Sequence, residues 1–125
     1  MVNVDEIAAQ ALYNCTELTS QLAEGAEGIY HDMAPDDGQY PMVQYSDISE
    51  TPALHGDNKP IAFKKVIRVS TIDNTPARRH ALKEAIMACM QDAGFMWQAT
   101  NTLRVDREYY TILDFIYGSY INTEV

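Results

Sequence analysis

Three apolar runs rich in β-branched and aromatic residues stand close together in the middle of the chain, at Ile29–Met33, Tyr40–Ile48 and Ala62–Ile72. Runs of this length and composition, bounded by proline, glycine and aspartate, read as strands, so a sheet has to form here. The first interruption, Ala34-Pro35-Asp36-Asp37-Gly38, has the residues of a chain reversal between neighbouring strands. The second, Thr51–Pro60, is polar and bounded by Pro52 and Pro60. It is longer than a hairpin needs, and long connections in compact domains tend to be functional. The central stretch therefore reads as strand, strand, long loop, strand.

Helical periodicity flanks this unit. Asn3 is placed as an N-cap with Glu6 three residues on, and Val4, Ile7, Ala8, Ala11, Cys15, Leu18 and Leu22 form one apolar stripe up to Glu24-Gly25. After the third strand, Thr75-Pro76 announces a second helix, with Leu82, Ala85, Ile86, Cys89, Met90 and Ala93 on one side and Gly94 as its stop. Arg78, Arg79 and Lys83 make a basic patch on its first turns, read as a solvated or subunit-facing surface. Met96–Val105 and Tyr109–Tyr117 then pair as a hairpin across Asp106-Arg107-Glu108. The second member is apolar on both faces, which marks a central strand, and Asp114 inside it is expected to pair with Arg68 or Arg104 or to lie at a solvated end.

The expected class is α+β, with a mixed, mainly antiparallel sheet of about five strands and two main helices packed on one side. At 125 residues the chain has room for one core. Residues 1–117 are read as a single domain and 118–125 as a mobile C-terminal tail. No apolar run approaches the roughly 20 residues of a membrane span, so no membrane partner is expected. The opening MVNVDEIAAQ carries acids where a secretion signal carries bases, and a cytosolic protein is the expectation.

Charge is distributed unevenly. Residues 1–58 hold eleven acids and no lysine or arginine, while all nine basic residues lie in 59–125. Such a split disfavours wrapping around DNA, whose phosphates require clustered lysine and arginine, and no sequence-specific nucleic-acid binding is expected. The split permits head-to-tail contact between copies. Cys15 and Cys89 fall on the buried helix stripes and read as free, small apolar residues. The motifs GxSxG, HExxH, GxGxxG and the Walker lysine are all missing, and His31, His55 and His80 lack partners at metal-ligand spacing. No catalytic residue, metal or cofactor is assigned, and the chain is read as a non-enzyme. The long loop is read as an arm that orders on contact with a neighbour. The candidate assembly interface is Thr51, Leu54, His55, Asp57, Asn58, Lys59, Lys64 and Lys65, with basic residues of one copy facing acids such as Asp47 and Glu50 of the next.

The ordered series Ile29-Tyr30, Pro35, Tyr40-Pro41-Met42-Val43-Gln44-Tyr45, Thr51-Pro52, a helix closing on Gly94-Phe95 and a last strand YYTILDFIYG resembles the tail-completion, or tail terminator, proteins of long-tailed bacteriophages and prophages. The likeness covers about residues 29–117, and Val43-Gln44 is more polar than the apolar pair usual there. The resemblance implies an oligomeric ring, with six copies as the expected number. This ring would cap the finished tail tube and form the head-to-tail joining surface during virion assembly. Implied partners are the chain itself, the tail tube protein and a head-neck connector or stopper protein. The implied location is the tail–head junction of the virion, reached through the host cytoplasm. The alternatives are another small neck or minor tail protein, or an acidic DNA-mimic inhibitor.

Overall fold

In the computed structural model, which describes residues 3–56 and 59–120, a five-stranded mixed sheet carries its helices on one face. The elements in chain order are α1 (Val4–Tyr13), α2 (Thr16–Thr19), a 3₁₀ turn (Gly25–Gly28), β1 (Ile29–His31), β2 (Met42–Gly56), β3 (Lys59–Asp73), α3 (Arg79–Asp92), β4 (Met96–Val105) and β5 (Glu108–Tyr120). The sheet order is β1-β2-β3-β5-β4, so the apolar β5 is interior, as its composition requires. The α+β class with helices on one side is as expected.

Four local outcomes differ from expectation. The β1–β2 pair is parallel, with Ile29 opposite Val43, so residues 32–41 carry the chain back along the sheet instead of reversing it. The first helical stripe is not one helix. Asn14 closes α1, Cys15 adopts an extended conformation, and Thr16 starts a new turn. Cys15, Leu18 and Leu22 stay buried because the re-formed turns keep the stripe on the core side. The third helix begins at Arg79 rather than at Pro76. The Thr75 hydroxyl accepts from the Ala77 N–H 3.2 Å away and closes a local turn instead of capping the helix. Finally, Cys15 and Cys89 are joined as a disulfide across a sequence separation of 74, because α2 and α3 lie side by side and their buried stripes meet.

The core lies between the helices and the face of the sheet bearing Val43, Tyr45, Phe63, Ile67, Val69, Leu113 and Phe115. Val4, Ala8, Leu12, Leu18, Leu82, Ala85, Ile86 and Met90 supply the helical side. The end of α3 is fixed by Gly94, at φ +100°, which lets Phe95 N–H reach Met90 O and Gly94 N–H reach Gln91 O, both at 3.0 Å. That reversal buries Phe95 and starts β4. No helix among the described residues is long and apolar enough to cross a membrane.

Candidate assembly surfaces

The largest departure from the sequence reading lies where the arm was placed. Thr51–Gly56 continues β2 and Lys59–Pro60 begins β3, paired down to Gly56 opposite Lys59. The prolines and glycine that resemble loop residues are accommodated in a long, irregular ladder, with register shifts at Asp47/Ser49, Pro52/Leu54 and Leu54/His55. Thr51 is exposed and lies opposite the exposed Lys64. Leu54, His55 and Lys59 take strand positions opposite Ala62, Pro60 and Gly56. Asp57 and Asn58 lie outside the described residues. Lys64 and Thr51 therefore come together, but on a hairpin rather than a free arm. At the other end of the chain, Gly118–Tyr120 belong to β5, paired with Lys64 to Ala62, and residues 121–125 lie outside the described residues.

Lys65 does not present its charge to a neighbour. Its Nζ stands 3.1 Å from Asp5 Oδ1, 3.3 Å from Asp47 Oδ2 and 3.9 Å from Glu50 Oε1 of its own chain. The bulge at Ile48 explains how two acids of one strand reach it. With one extra residue inserted, Asp47 opposite Ile67 and Glu50 opposite Lys65 share the helix-facing side of the sheet. Burial disfavours the charged form of both aspartates. For Asp5 the hydrogen bond with Asp47 and the nearby ammonium outweigh it and hold its carboxyl below the usual range. For Asp47, burial, with the hydrogen bond to Asp5 and repulsion from it, prevails over Lys65 and pushes its carboxyl up. Arg68 is likewise satisfied within the chain, by Asp114. The expected pairing of Lys65 with acids of another copy is thus met by pairing within one copy, and Asp114 takes Arg68 of the two arginines expected for it.

Two other surfaces are left open. On the face of the sheet away from the helices, residues 33–36 cover one end, over Met42, Gln44, Ile72, Glu108 and Tyr110, enclosing a groove of about 400 Å³. Glu108 ties Tyr40, just before β2, to the rim of this groove. Its carboxylate accepts from Tyr40 Oη at 2.7 Å and from Tyr110 Oη at 3.0 Å, and the bond to Glu108, with burial, pushes the Tyr40 hydroxyl up to about 12. Beyond the cover, the half-buried Ile112 and Ile116 stand on either side of Asp114 in β5, and the exposed Met96, Leu103 and Val105 lie on the neighbouring β4. A second groove, about 390 Å³, runs between α1 and α3 along the disulfide.

The second open surface is the outer edge of β4. This strand ends the sheet, so one side of its backbone has no strand partner among the described residues. Met96 is 69 % exposed, Leu103 51 %, and Trp97 and Val105 46 %. A bulge at Gln98 puts Trp97 and Thr100 on the same side, where Trp97 Nε1 donates to Thr100 Oγ1 at 2.9 Å. At the far end Tyr109 lies beside two guanidinium groups, Arg104 at 5.1 Å and Arg79 at 6.0 Å from its centroid. Of these, only Arg79 belongs to a patch read from the sequence as solvated or subunit-facing; none of the β4 residues is named as interface. The signal was present in MWQATNTLRV, an exposed strand with neither proline nor lysine to discourage pairing.

The histidines are scattered. His31 stacks on Tyr45 with centroids 4.9 Å apart, and His80 stands 3.9 Å from Glu84 on the exposed side of α3. No protein-family model matches the chain, and no curated protein matches it.

Proposed function

We propose that this chain is a non-catalytic assembly protein of the tail-completion type, forming a ring on the finished phage tail tube and offering a surface to the neck of the filled head. The observation that supports this reading best is the one-sided build of the sheet. Helices cover one face, while, among the described residues, no helix lies on the other face and no strand pairs the outer edge of β4. Exposed apolar side chains along an unpaired strand are costly for a monomer's solubility and suit a chain that is buried by its neighbours. The order of elements and the aromatic final strand agree with the resemblance carried by Ile29-Tyr30, Tyr40–Tyr45 and Tyr109–Gly118.

Acids dominate the remaining surface, with a formal net charge of −9. A negative ring repels passing DNA and keeps it from adhering to the bore. The test is electron microscopy of particles from a phage deleted for this chain alone. Filled heads separate from overlong or unjoined tails are expected, and joined particles of normal tail length would overturn the reading.

A further inference from the structure

Among the described residues, the edges of the sheet differ in their fitness for pairing. The outer side of β1 is used by its own chain. Ile29 N–H donates to Ala26 O, the Ile29 carbonyl accepts from Tyr13 Oη at 3.3 Å, and Met33 N–H donates to His31 O at 2.9 Å. Beyond Tyr45, β2 has only β3 beside it, but there it shifts register three times and contains Pro52, which has no N–H to give. β4 holds no proline and no lysine, and after its bulge at Gln98 it runs regularly from Ala99 to Val105. This strand is also complementary to itself. Trp97, Thr100, Thr102 and Arg104 stand opposite Phe115, Leu113, Thr111 and Tyr109 on the helix-bearing face, and Met96, Ala99, Asn101, Leu103 and Val105 belong to the open face. Laid antiparallel on a second β4 with Asn101 at the centre, every position meets a partner on its own face: Met96 with Val105, Trp97 with Arg104, Ala99 with Leu103, Thr100 with Thr102, and Asn101 with itself. Gln98, the extra residue of the bulge, takes no place in this count. Any other centre leaves strand ends unpaired or sets opposite faces against each other.

We infer that two copies of the chain pair through this edge, β4 antiparallel to β4 about a twofold axis beside Asn101, so that one sheet runs through both with all helices on one face. Main-chain hydrogen bonds along the ladder supply the attachment. Charge complementarity sets the register. Arg104 lies over Tyr109, 5.1 Å from its centroid, and has no carboxylate partner among the described residues. In the pair its cross-strand neighbour is Trp97 of the second copy, whose indole is held along the strand by the bond to Thr100. The row Tyr109–Arg104–Trp97–Phe115 then crosses the joint twice, each time with a cation between aromatic residues. On the open face Met96, Ala99, Leu103 and Val105 of both copies gather into one apolar patch, which draws the three large exposed side chains out of water.

A twofold pair is closed, since the same edge of both copies is used up. The inference goes beyond the tail reading and does not rest on it: it describes the free protein, and a ring on a tube would form from pairs that open or through other surfaces. Within one copy Trp97 and Arg104 stand about 20 Å apart along the strand, at roughly 3.3 Å per residue, so coupling between them reports the joint.

The experiment uses the full-length protein, with mass read by sedimentation and mass photometry over a dilution series. The parent should be a dimer that dissociates on dilution. Trp97→Arg sets two cations against each other at both ends of the joint and should raise the dissociation constant at least tenfold. Adding Arg104→Glu to that variant puts opposite charges there and should bring the constant back to within a few-fold of the parent. Thermal melts show that each variant is folded. A measurement that needs no charge change uses Asn101→Cys carrying a nitroxide, the two native cysteines being bonded to each other. Two labels beside the twofold axis should broaden each other's spectrum, and dilution with unlabelled protein should remove the broadening. A dimer without that broadening, or a double variant no tighter than Trp97→Arg, would overturn this register. A parent monomeric at every concentration, with β4 amides protected from exchange only on tail tubes, would give the edge to the tube protein and overturn the pair while leaving the ring reading standing. A parent monomeric under all conditions, or one that grows past a dimer without end, would overturn it as well.

Discussion

Arg68 and Asp114 face each other across the β3–β5 ladder as a two-pronged pair, Nε to Oδ1 at 2.8 Å and the terminal amine to Oδ2 at 3.1 Å. The pair stands on the sheet face that no helix covers, with Asp114 the more buried partner. The bond to Asp114 holds the guanidinium pKa above its ordinary value against the cost of burial. Two parallel charge-assisted bonds fix the register of two interior strands as well as adding energy. A double-mutant cycle with Arg68→Met and Asp114→Asn should give a coupling of about 1 kcal/mol, the upper end for pairs open to solvent. Asp114→Asn alone should cost more than Arg68→Met, because it leaves the cation facing a buried edge of the pair without its countercharge. Urea melts of the four proteins measure both.

The disulfide predicts a redox-dependent stability. Cys15 and Cys89 close a loop of 74 residues, and constraining a loop of that length in the unfolded chain stabilises the fold by about 4 kcal/mol in the chain-entropy model. Protein isolated without reductant should show no free thiol on alkylation and mass spectrometry. Adding reductant, or Cys89→Ser, should lower the melting temperature by many degrees. Two titratable thiols in the native protein would contradict the cross-link.

Both cysteines were legible as lying on core-side stripes, where Cys15 is buried and Cys89 half-buried, and their bond was not, since spacing along the chain does not reveal that α2 and α3 touch. The same division runs through the fold. The β4–β5 hairpin and the interior place of β5 follow from local pattern, because alternation and turn chemistry act over a few residues, whereas the choice of Arg68 over Arg104 or a solvated end for Asp114 is made by the β3–β5 register. The break at Asn14 is invisible to periodicity, since Cys15, Leu18 and Leu22 keep helical spacing through it and stay buried. Thr51–Gly56 read as loop because Pro52 and Gly56 break regular strands. Paired to β3 on only one side, this stretch tolerates them through bulges. The β4 edge is legible only once the strand order puts it on the outside.

The core assignments lead to a sharp contrast. Leu18 and Ile86 are completely buried, on α2 and α3, facing the same cluster. Leu18→Asp or Ile86→Asp forces a charge into that cluster at a cost of several kcal/mol, comparable with the total stability of about 5–15 kcal/mol of a domain. Neither variant should show a cooperative melt. Asp36→Asn and Asp37→Asn change exposed carboxylates before β2 and should leave stability within about 0.5 kcal/mol. A Leu18→Asp protein that melts like the parent would remove α2 from the core.

The Asp5–Asp47–Lys65 cluster sets the last expectation, a pH dependence with two opposed parts. Asp5 has a folded pKa below its unfolded value, so it adds stability above the unfolded pKa and loses it as pH falls through the folded one. Asp47 has its pKa raised, so the stability it adds is present when protonated and is lost as pH rises through that raised value. The two titrate as a pair, and the acid limb of the stability curve is flatter than either alone would make it. Asp47→Asn keeps a hydrogen-bonding partner for Asp5 and removes the repulsion. It should leave stability unchanged or slightly higher at neutral pH, by less than about 1 kcal/mol for so open a cluster. Below the carboxylate range that advantage should disappear. Asp5→Asn removes the carboxylate that favours its charged form, and it should lower stability at neutral pH and bring the variant level with the parent in acid. Thermal melts of the three proteins between about pH 3 and 8 separate these outcomes. A parent curve that both substitutions shift by the same amount at every pH would show that Lys65 does not tie α1 to the β2–β3 hairpin through charge.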